Sequence, residues 1–357
     1  MKRRIVPFWF PNLGCPTRCT FCDQFAARGE AISLPNPEQL RTAIEAAARE
    51  EAPCSLEAAY YGGTFTALPA EMQERLLEPA STLLKQGVLA GIRVSTHPSF
   101  TSSEAMARLG RFGVTTVELG IQSFADSVLA HNGRDYHGER ALQACRSVQS
   151  AGLALIVQLM PFLPEASEED DLDAARLVAE LVPDGVRLFP TVALAGTRLA
   201  EWWREGLWKP PSLEATTARV ARMLRIIAPA RVSVLRIGLQ ASRSLDKAVL
   251  AGPYHPALGE LCRSALLADV VHFAMAEVHR SETTRPHLIV ESPLASLLTG
   301  HDHFGLGMLN KWRPADSYTW TIGPNTAPPA RQAHSSFWRS EVFLVSLHGN
   351  VVRVSRT

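Results

Sequence analysis

The sequence predicts an α/β protein: a partial (β/α)6 barrel over residues 1–250, followed by a small α+β extension over residues 251–357. Three observations carry this. Short apolar runs alternate about six times with stretches of helical periodicity, the signature of a parallel sheet with crossover helices. Glycine-rich and polar segments follow the strands at their carboxyl ends, where barrel-type folds gather their sites. The alternation then stops at Ala251-Gly252-Pro253-Tyr254-His255-Pro256. Too few units precede that break for a closed eight-stranded barrel.

Taken in order, residues 3–10 read as a strand and 37–50, rich in Ala and Glu, as a helix. Residues 56–61 form a short apolar strand ending at Gly62-Gly63-Thr64. Residues 69–86 place Met72, Leu76, Leu77, Leu83 and Leu84 at helical spacing. Strands are expected at 92–96, 115–119, 153–160, 185–189 and 232–237. Helices are expected at 103–112, 138–151, 168–181, 199–205 and 213–227. Beyond the break come an apolar helix (257–278), a strand (287–291), a helix (293–298) and a polar, aromatic segment (299–340). Two strands, 342–347 and 351–354, pair around Gly349-Asn350.

The chain has 357 residues, 46% of them hydrophobic, ample for a core. A formal net charge of +1 gives no global electrostatic case for nucleic acid or membrane. No apolar run reaches the ~20 residues that span a bilayer. The basic start, Met1-Lys2-Arg3-Arg4-Ile5-Val6-Pro7, reads as a first strand rather than an export signal. Unpaired thiols predict the reducing cytoplasm.

The chemistry centres on Gly14-Cys15-Pro16-Thr17-Arg18-Cys19-Thr20-Phe21-Cys22, spaced C-x3-C-x2-C. Three thiolates on one short loop suit three corners of a [4Fe–4S] cluster, which normally takes four cysteines. The fourth iron is then open to a small molecule, as a catalytic metal keeps a free position. S-adenosylmethionine (SAM), with adjacent amino and carboxylate groups, is a natural bidentate ligand. Structural zinc needs a second half-site, and Cys54 and Cys145 are isolated from any partner. A disulfide framework suits a small secreted chain. Phe21 is expected against the adenine.

Other candidates follow the strands. Gly62, Gly63 and Thr64 form a backbone shelf for the SAM amino group, or an ordinary turn. A branched side chain at Gly63 is expected to exclude SAM and spare the cluster. Glu118, Gln122 and Ser123 can exchange hydrogen bonds with ribose hydroxyls; a rim carboxylate in solvent is the plain alternative for Glu118. Arg134 suits the SAM carboxylate, or the surface. Gln158 faces the nucleoside or satisfies the barrel mouth. Arg187 reads as a structural ion pair. His97, His131, His137 and His255 stand alone and are assigned no metal, while Trp202, Trp203 and Trp208 are packing residues.

These motifs together resemble the radical SAM superfamily, and within it the branch of the elongator complex catalytic subunit. The resemblance spans residues 5–245. It rests on the cysteine loop, Tyr61-Gly62-Gly63-Thr64-Phe65-Thr66, Ser95-Thr96-x-Pro98, Val117-Glu118-Leu119-Gly120-Ile121-Gln122-Ser123, Gly133-Arg134, Met160-Pro161-x-Leu163-Pro164, Phe189-Pro190-Thr191, Gly196-Thr197-x-Leu199 and Arg236-Ile237-Gly238-Leu239-Gln240. His97 and Ser99 replace the family's arginine and aspartate, and Phe162 its glycine. The region after residue 251 shows no acetyl-CoA pattern and is similar to the short extension of bacterial relatives without an acetyltransferase domain. The resemblance implies a [4Fe–4S] cluster and SAM. It also implies a one-electron donor such as flavodoxin or ferredoxin, and a 5′-deoxyadenosyl radical that abstracts hydrogen from an unknown substrate. Rival readings are a coproporphyrinogen-oxidase-like haem protein, a tRNA-modifying enzyme and a noncatalytic iron–sulfur protein. The extension is expected to shape substrate access, with Tyr254 and His255 at the junction, or to cover a barrel edge.

Overall fold

The computed structural model describes residues 4–23, 35–50, 55–279, 286–312, 318–323, 342–347 and 350–356. The chain divides into two compact units. One comprises Met1–Leu213 and Ile226–Pro256, the other Glu214–Arg225 and Ala257–Thr357.

The first unit runs β1 (Arg4–Trp9), α1 (Pro37–Ala48), β2 (Leu56–Tyr61), α2 (Ala70–Lys85), β3 (Leu89–Thr96), α3 (Ser103–Arg111), β4 (Thr116–Gln122), α4 (Asp126–His131), α5 (Gly138–Ser150), β5 (Ala154–Leu159), α6 (Glu168–Leu181) and β6 (Gly185–Leu188). It continues through β7 (Ala193–Leu194), α7 (Arg198–Arg204), α8 (Leu213–Ile227), β8 (Ser233–Ile237), α9 (Arg243–Ala248) and β9 (Val249–Ala251). Most of α8 is assigned to the second unit. Seven strands form one sheet in the order β1-β2-β3-β4-β5-β6-β8, and every neighbouring pair is parallel. Six crossovers link them, so the expected partial barrel is a half-barrel. The short β7 and β9 pair antiparallel as a separate ribbon. That ribbon, α4 and α9 were not expected from the sequence.

Local chemistry starts the helices where they start. Asn36 and Gln39 close a capping box at α1, with Pro37 in its first turn. Ser167 and Asp170 do the same at α6, whose first turn carries Glu168, Glu169, Asp170 and Asp171 against the positive end of the helix dipole. At its other end α6 stops on Val182, at φ 46° and ψ 57°. A β-branched residue is strained in that left-handed region, and Val182 is 56% exposed, so its side chain gains little by packing. Val182→Gly should therefore stabilise the protein by about 1 kcal/mol. That is a rise in Tm of about 2–4 °C, read by thermal unfolding; a fall in Tm would show that the valine's packing outweighs the strain.

The two faces of the sheet differ by strand alternation. One carries Ile92, Val94, Val117, Leu119, Leu155, Val157, Val186 and Leu188, all fully buried. On this face the Tyr60 hydroxyl donates to the Leu76 carbonyl of α2 at 2.9 Å. The inner face carries charged and polar residues instead, and the site lies there.

The second unit contains α10 (Leu258–His279), β10 (Pro286–Glu291), α11 (Ser292–Trp312), β11 (Thr319–Gly323), β12 (Val342–Leu347) and β13 (Asn350–Arg356). Its sheet has the order β11-β10-β13-β12, with β10 and β11 parallel and the other pairs antiparallel. The sequence ends one helix at residue 298; the structure carries α11 on to Trp312. Left-handed backbone at His301 and His303 interrupts its direction. Gly305 comes back against the Leu297 carbonyl, where a β-carbon would collide. Among the described residues no helix is long and apolar enough to cross a membrane.

Candidate active site

The cysteine loop leaves the carboxyl end of β1 and is fixed by backbone hydrogen bonds. Asn12 N–H donates to the Gly62 carbonyl at 2.7 Å, and Thr64 N–H to the Leu13 carbonyl at 2.8 Å. Further along, Thr20 N–H donates to the Asn132 carbonyl at 3.2 Å. The Thr20 hydroxyl meets the Asn132 side chain at 2.9 Å, and the Thr17 hydroxyl donates to the Gly133 carbonyl at 3.2 Å. Leu199 N–H, at the start of α7, donates to the Thr20 carbonyl at 2.9 Å.

Gly63 is where the two segments come closest. A β-carbon there would collide with the Leu13 carbonyl and lie 2.8 Å from that of Phe10. The sequence expectation that Gly63→Val spares the cluster is therefore corrected, because the side chain would strike the backbone that bears the cysteines. Gly63→Val should lose iron together with SAM binding. Iron analysis after anaerobic reconstitution checks this; full iron content in the variant would restore the original expectation.

Cys15, Cys19 and Cys22 form no disulfide and are partly exposed. Their sulfurs face different partners. Cys15 shares a hydrogen bond with the Thr64 hydroxyl at 3.4 Å, Arg134 Nη1 donates to Cys19 at 3.1 Å, and Asn12 Nδ2 approaches Cys22 at 3.8 Å. As they stand they are not gathered around one point: among the described residues no three His, Cys, Asp or Glu are grouped to hold a metal ion. Turning a cysteine sulfur takes rotation about one side-chain bond, while the backbone already holds all three on one loop. Soft thiolates on one loop fit an iron–sulfur cluster better than magnesium or calcium. Burial raises the Cys15 thiol above its ordinary pKa, against the lowering effect of Thr64. Cys145 and Cys262 are fully buried, and burial pushes each thiol up to about 12. Cys54 lies outside the described residues.

Gln122 and Ser123 sit at the end of β4, beside a bulge between Gly120 and Gln122. Gln122 adopts φ 68°, rare for a residue with a side chain, and its buried Oε1 has no hydrogen-bond partner among the described residues. An orphaned acceptor at a strand's carboxyl end suits a ligand hydroxyl. Ser123 Oγ instead accepts from Ala125 N–H at 3.2 Å.

Arg134 is buried. It reaches Cys19, the Gly120 carbonyl and the Tyr136 hydroxyl, the last through Nη2 at 2.9 Å. Tyr136 in turn donates to the Ile121 carbonyl at 2.5 Å. His97 packs edge-on to Tyr136, with ring centroids 4.9 Å apart. Burial, then the Arg134 charge, push its imidazole down to about 3, so it stays neutral.

Phe21, expected against an adenine, is 7% exposed in an apolar cluster with Val128, Leu163, Leu199 and Trp208. That burial leaves little of its ring for a nucleoside. Gln158 lies level with Gly120 and Arg187 across β4, β5 and β6.

Glu118 is tied into an ion cluster on the inner face. Its Oε1 accepts from Arg93 at 2.7 Å, Arg187 at 3.1 Å and the Tyr61 hydroxyl at 3.2 Å. Arg93 also donates to Glu57 at 2.7 Å, and the Thr116 hydroxyl to Glu57 at 3.3 Å. Sequence reading anticipated the Arg187 ion pair but missed Glu57, Tyr61, Arg93 and Arg236. The signal was one lone charge recurring in each of five apolar strands, at Glu57, Arg93, Glu118, Arg187 and Arg236.

The family model of the radical SAM superfamily matches residues 9–178, and that of the radical SAM C-terminal domain matches residues 183–267. A tRNA uridine(34) acetyltransferase of Dehalococcoides mccartyi is 29% identical over 251 residues, covering 61% of this chain and 55% of the relative. Human elongator complex protein 3 is 27% identical over 188 residues, covering 47% of this chain and 34% of its own. The chain thus spans about half or less of the length of these curated relatives. Among solved structures, an archaeal elongator protein 3 of Methanocaldococcus infernus shares the fold at a TM-score of 0.60 and 22% identity, over 74% of this chain and 63% of that one.

Proposed function

Because the chain belongs to the radical SAM superfamily, we propose that Cys15, Cys19 and Cys22 hold a [4Fe–4S] cluster whose open iron takes SAM. Given one electron from a flavodoxin- or ferredoxin-like donor, such a cluster with SAM supplies a 5′-deoxyadenosyl radical for hydrogen abstraction from a substrate. The observation that carries this reading is three cysteines outside any disulfide on one loop, fixed against the carboxyl ends of the strands beside a Gln122 acceptor with no partner among the described residues. Gln122 Oε1 accepts from a ribose hydroxyl, and Gly62, Gly63 and Thr64 offer backbone to the SAM amino group. Ser123 shapes the turn below the ribose. Arg134 holds Cys19 and the end of β4 in place beside the SAM carboxylate, and Gln158 lines the inner wall. Glu118 anchors the arginines beneath.

The test is anaerobic reconstitution with iron and sulfide, then SAM and dithionite, with 5′-deoxyadenosine as the readout. A fully loaded protein that forms none would be a noncatalytic iron–sulfur protein. A second reading is favoured by the match to a tRNA-acting relative: the substrate is a tRNA nucleoside. Addition of bulk tRNA should then stimulate 5′-deoxyadenosine formation, and an unchanged rate would refute it.

A further inference from the structure

The charges on the inner face of the half-barrel do not balance. Among the described residues Arg93 and Arg187 pair with the carboxylates of Glu57 and Glu118 alone. Arg93 takes both carboxylates, and Arg187 shares the one Glu118 oxygen that Arg93 and Tyr61 already use. Arg187 Nε is buried and has no partner among the described residues. Arg236 sits directly opposite Arg187 on the adjoining strand β8. No carboxylate among the described residues pairs with it in this structure. Burial and the like charge of Arg187 lower its pKa. Of these two neighbouring guanidiniums, Arg187 has only a share in an oxygen that is already overcommitted and Arg236 has no carboxylate among the described residues, and partly buried charge is unfavourable unless an anion meets it.

We infer that Arg187 and Arg236 form an anion subsite inside the half-barrel, which takes a phosphate or carboxylate group. A guanidinium fork suits either, and an adjacent pair suits bidentate capture of one anionic group. The position is informative. Gly120, Gln158, Arg187 and Arg236 form one rung across β4, β5, β6 and β8. Gly120 accepts from Arg134, which also holds Cys19. At the ordinary strand spacing, three steps along the sheet put Arg236 roughly 14 Å from Gly120. The anion is therefore held at the far end of the rung from the cysteine loop. Taken as the anchor of the substrate, the subsite rests on the proposed radical chemistry and makes that substrate an anionic molecule; the binding itself does not depend on it.

Binding of inorganic phosphate and, separately, of malonate to the cluster-loaded, full-length protein tests this. It is measured by calorimetry at constant ionic strength, without SAM or reductant. At least one anion should bind. Arg236→Gln should weaken it about tenfold or more, while Arg236→Lys should weaken it less. Preference for phosphate assigns a phosphorylated substrate, and preference for malonate a carboxylate. Failure of both anions to bind the unaltered protein overturns the inference, as does undiminished binding by Arg236→Gln. Because neither SAM nor reductant is present, intact anion binding without 5′-deoxyadenosine formation would sink the radical reading alone. Cleavage of SAM with no anion binding would sink the subsite alone.

Discussion

Cys19→Ala should yield a folded but colourless protein. The loop is held by main-chain hydrogen bonds from Asn12, Thr20, Thr64 and Leu199, none of which uses a cysteine side chain. Its far-UV circular dichroism should therefore match that of the unaltered chain. Iron content after reconstitution should collapse, and 5′-deoxyadenosine formation should fall by more than about 100-fold, since losing even an outer-shell partner of a metal ligand costs 10- to 100-fold. Cys15→Ala and Cys22→Ala should behave alike. Cys145→Ala and Cys262→Ala are the controls: both thiols are buried and protonated, far from the thiolate state a metal requires. Iron loss from either control as complete as that from Cys19→Ala would show that the ligand set has been misassigned.

Glu118→Ala should produce the largest loss of stability among inner-face substitutions. Its carboxylate is 4% exposed and receives Arg93, Arg187 and Tyr61 on a single oxygen. Removing it leaves Arg187 with no carboxylate, and Arg93 with Glu57 alone. Breaking a buried ion pair from one side costs about 3–5 kcal/mol, because the surviving charge stays desolvated. For a unit of this size that corresponds to a fall in Tm of about 10 °C. Glu118→Gln keeps an acceptor and should lose less. Burial, the largest cause, and then the neighbouring Glu118 raise the Tyr61 pKa, so that phenol is a donor to Glu118 in the unaltered protein. A drop in Tm of only a degree or two for Glu118→Ala would mean that Glu57 and water replace the carboxylate.

The sequence made the parallel strands and their crossovers legible because strand and helix periods alternate cleanly there. The cysteine loop stood out because its pattern is local, three cysteines within eight residues. Features made by distant residues did not. Phe21 sits beside two cysteines, which suggested a ligand-facing ring, but its burial depends on Leu163, Leu199 and Trp208, far along the chain. Gly63 was read for the ligand its backbone could approach; only the fold shows that the side it leaves bare is pressed against the Leu13 carbonyl. The six-residue α4 lacks a side-chain cap, and α11 hides behind left-handed backbone at two histidines. Arg236 was quoted for family likeness, yet its meaning comes from a neighbour 49 positions earlier, Arg187, which only the register of β6 and β8 supplies.

The fastening of the cysteine loop also sets an order of events during synthesis. Thr20 is bound by Asn132 from one side and by Leu199 from the other, so a loop near the start of the chain is shaped by residues made much later. Domains form from their amino ends as they emerge from the ribosome, at about 5–20 residues per second. At that pace Leu199 follows Thr20 by roughly 10–40 seconds. Throughout that interval the three thiols are displayed on a chain whose clasp has not yet been translated. On the proposed function, a cluster offered to Cys15, Cys19 and Cys22 before α7 appears would meet a loop without its final shape.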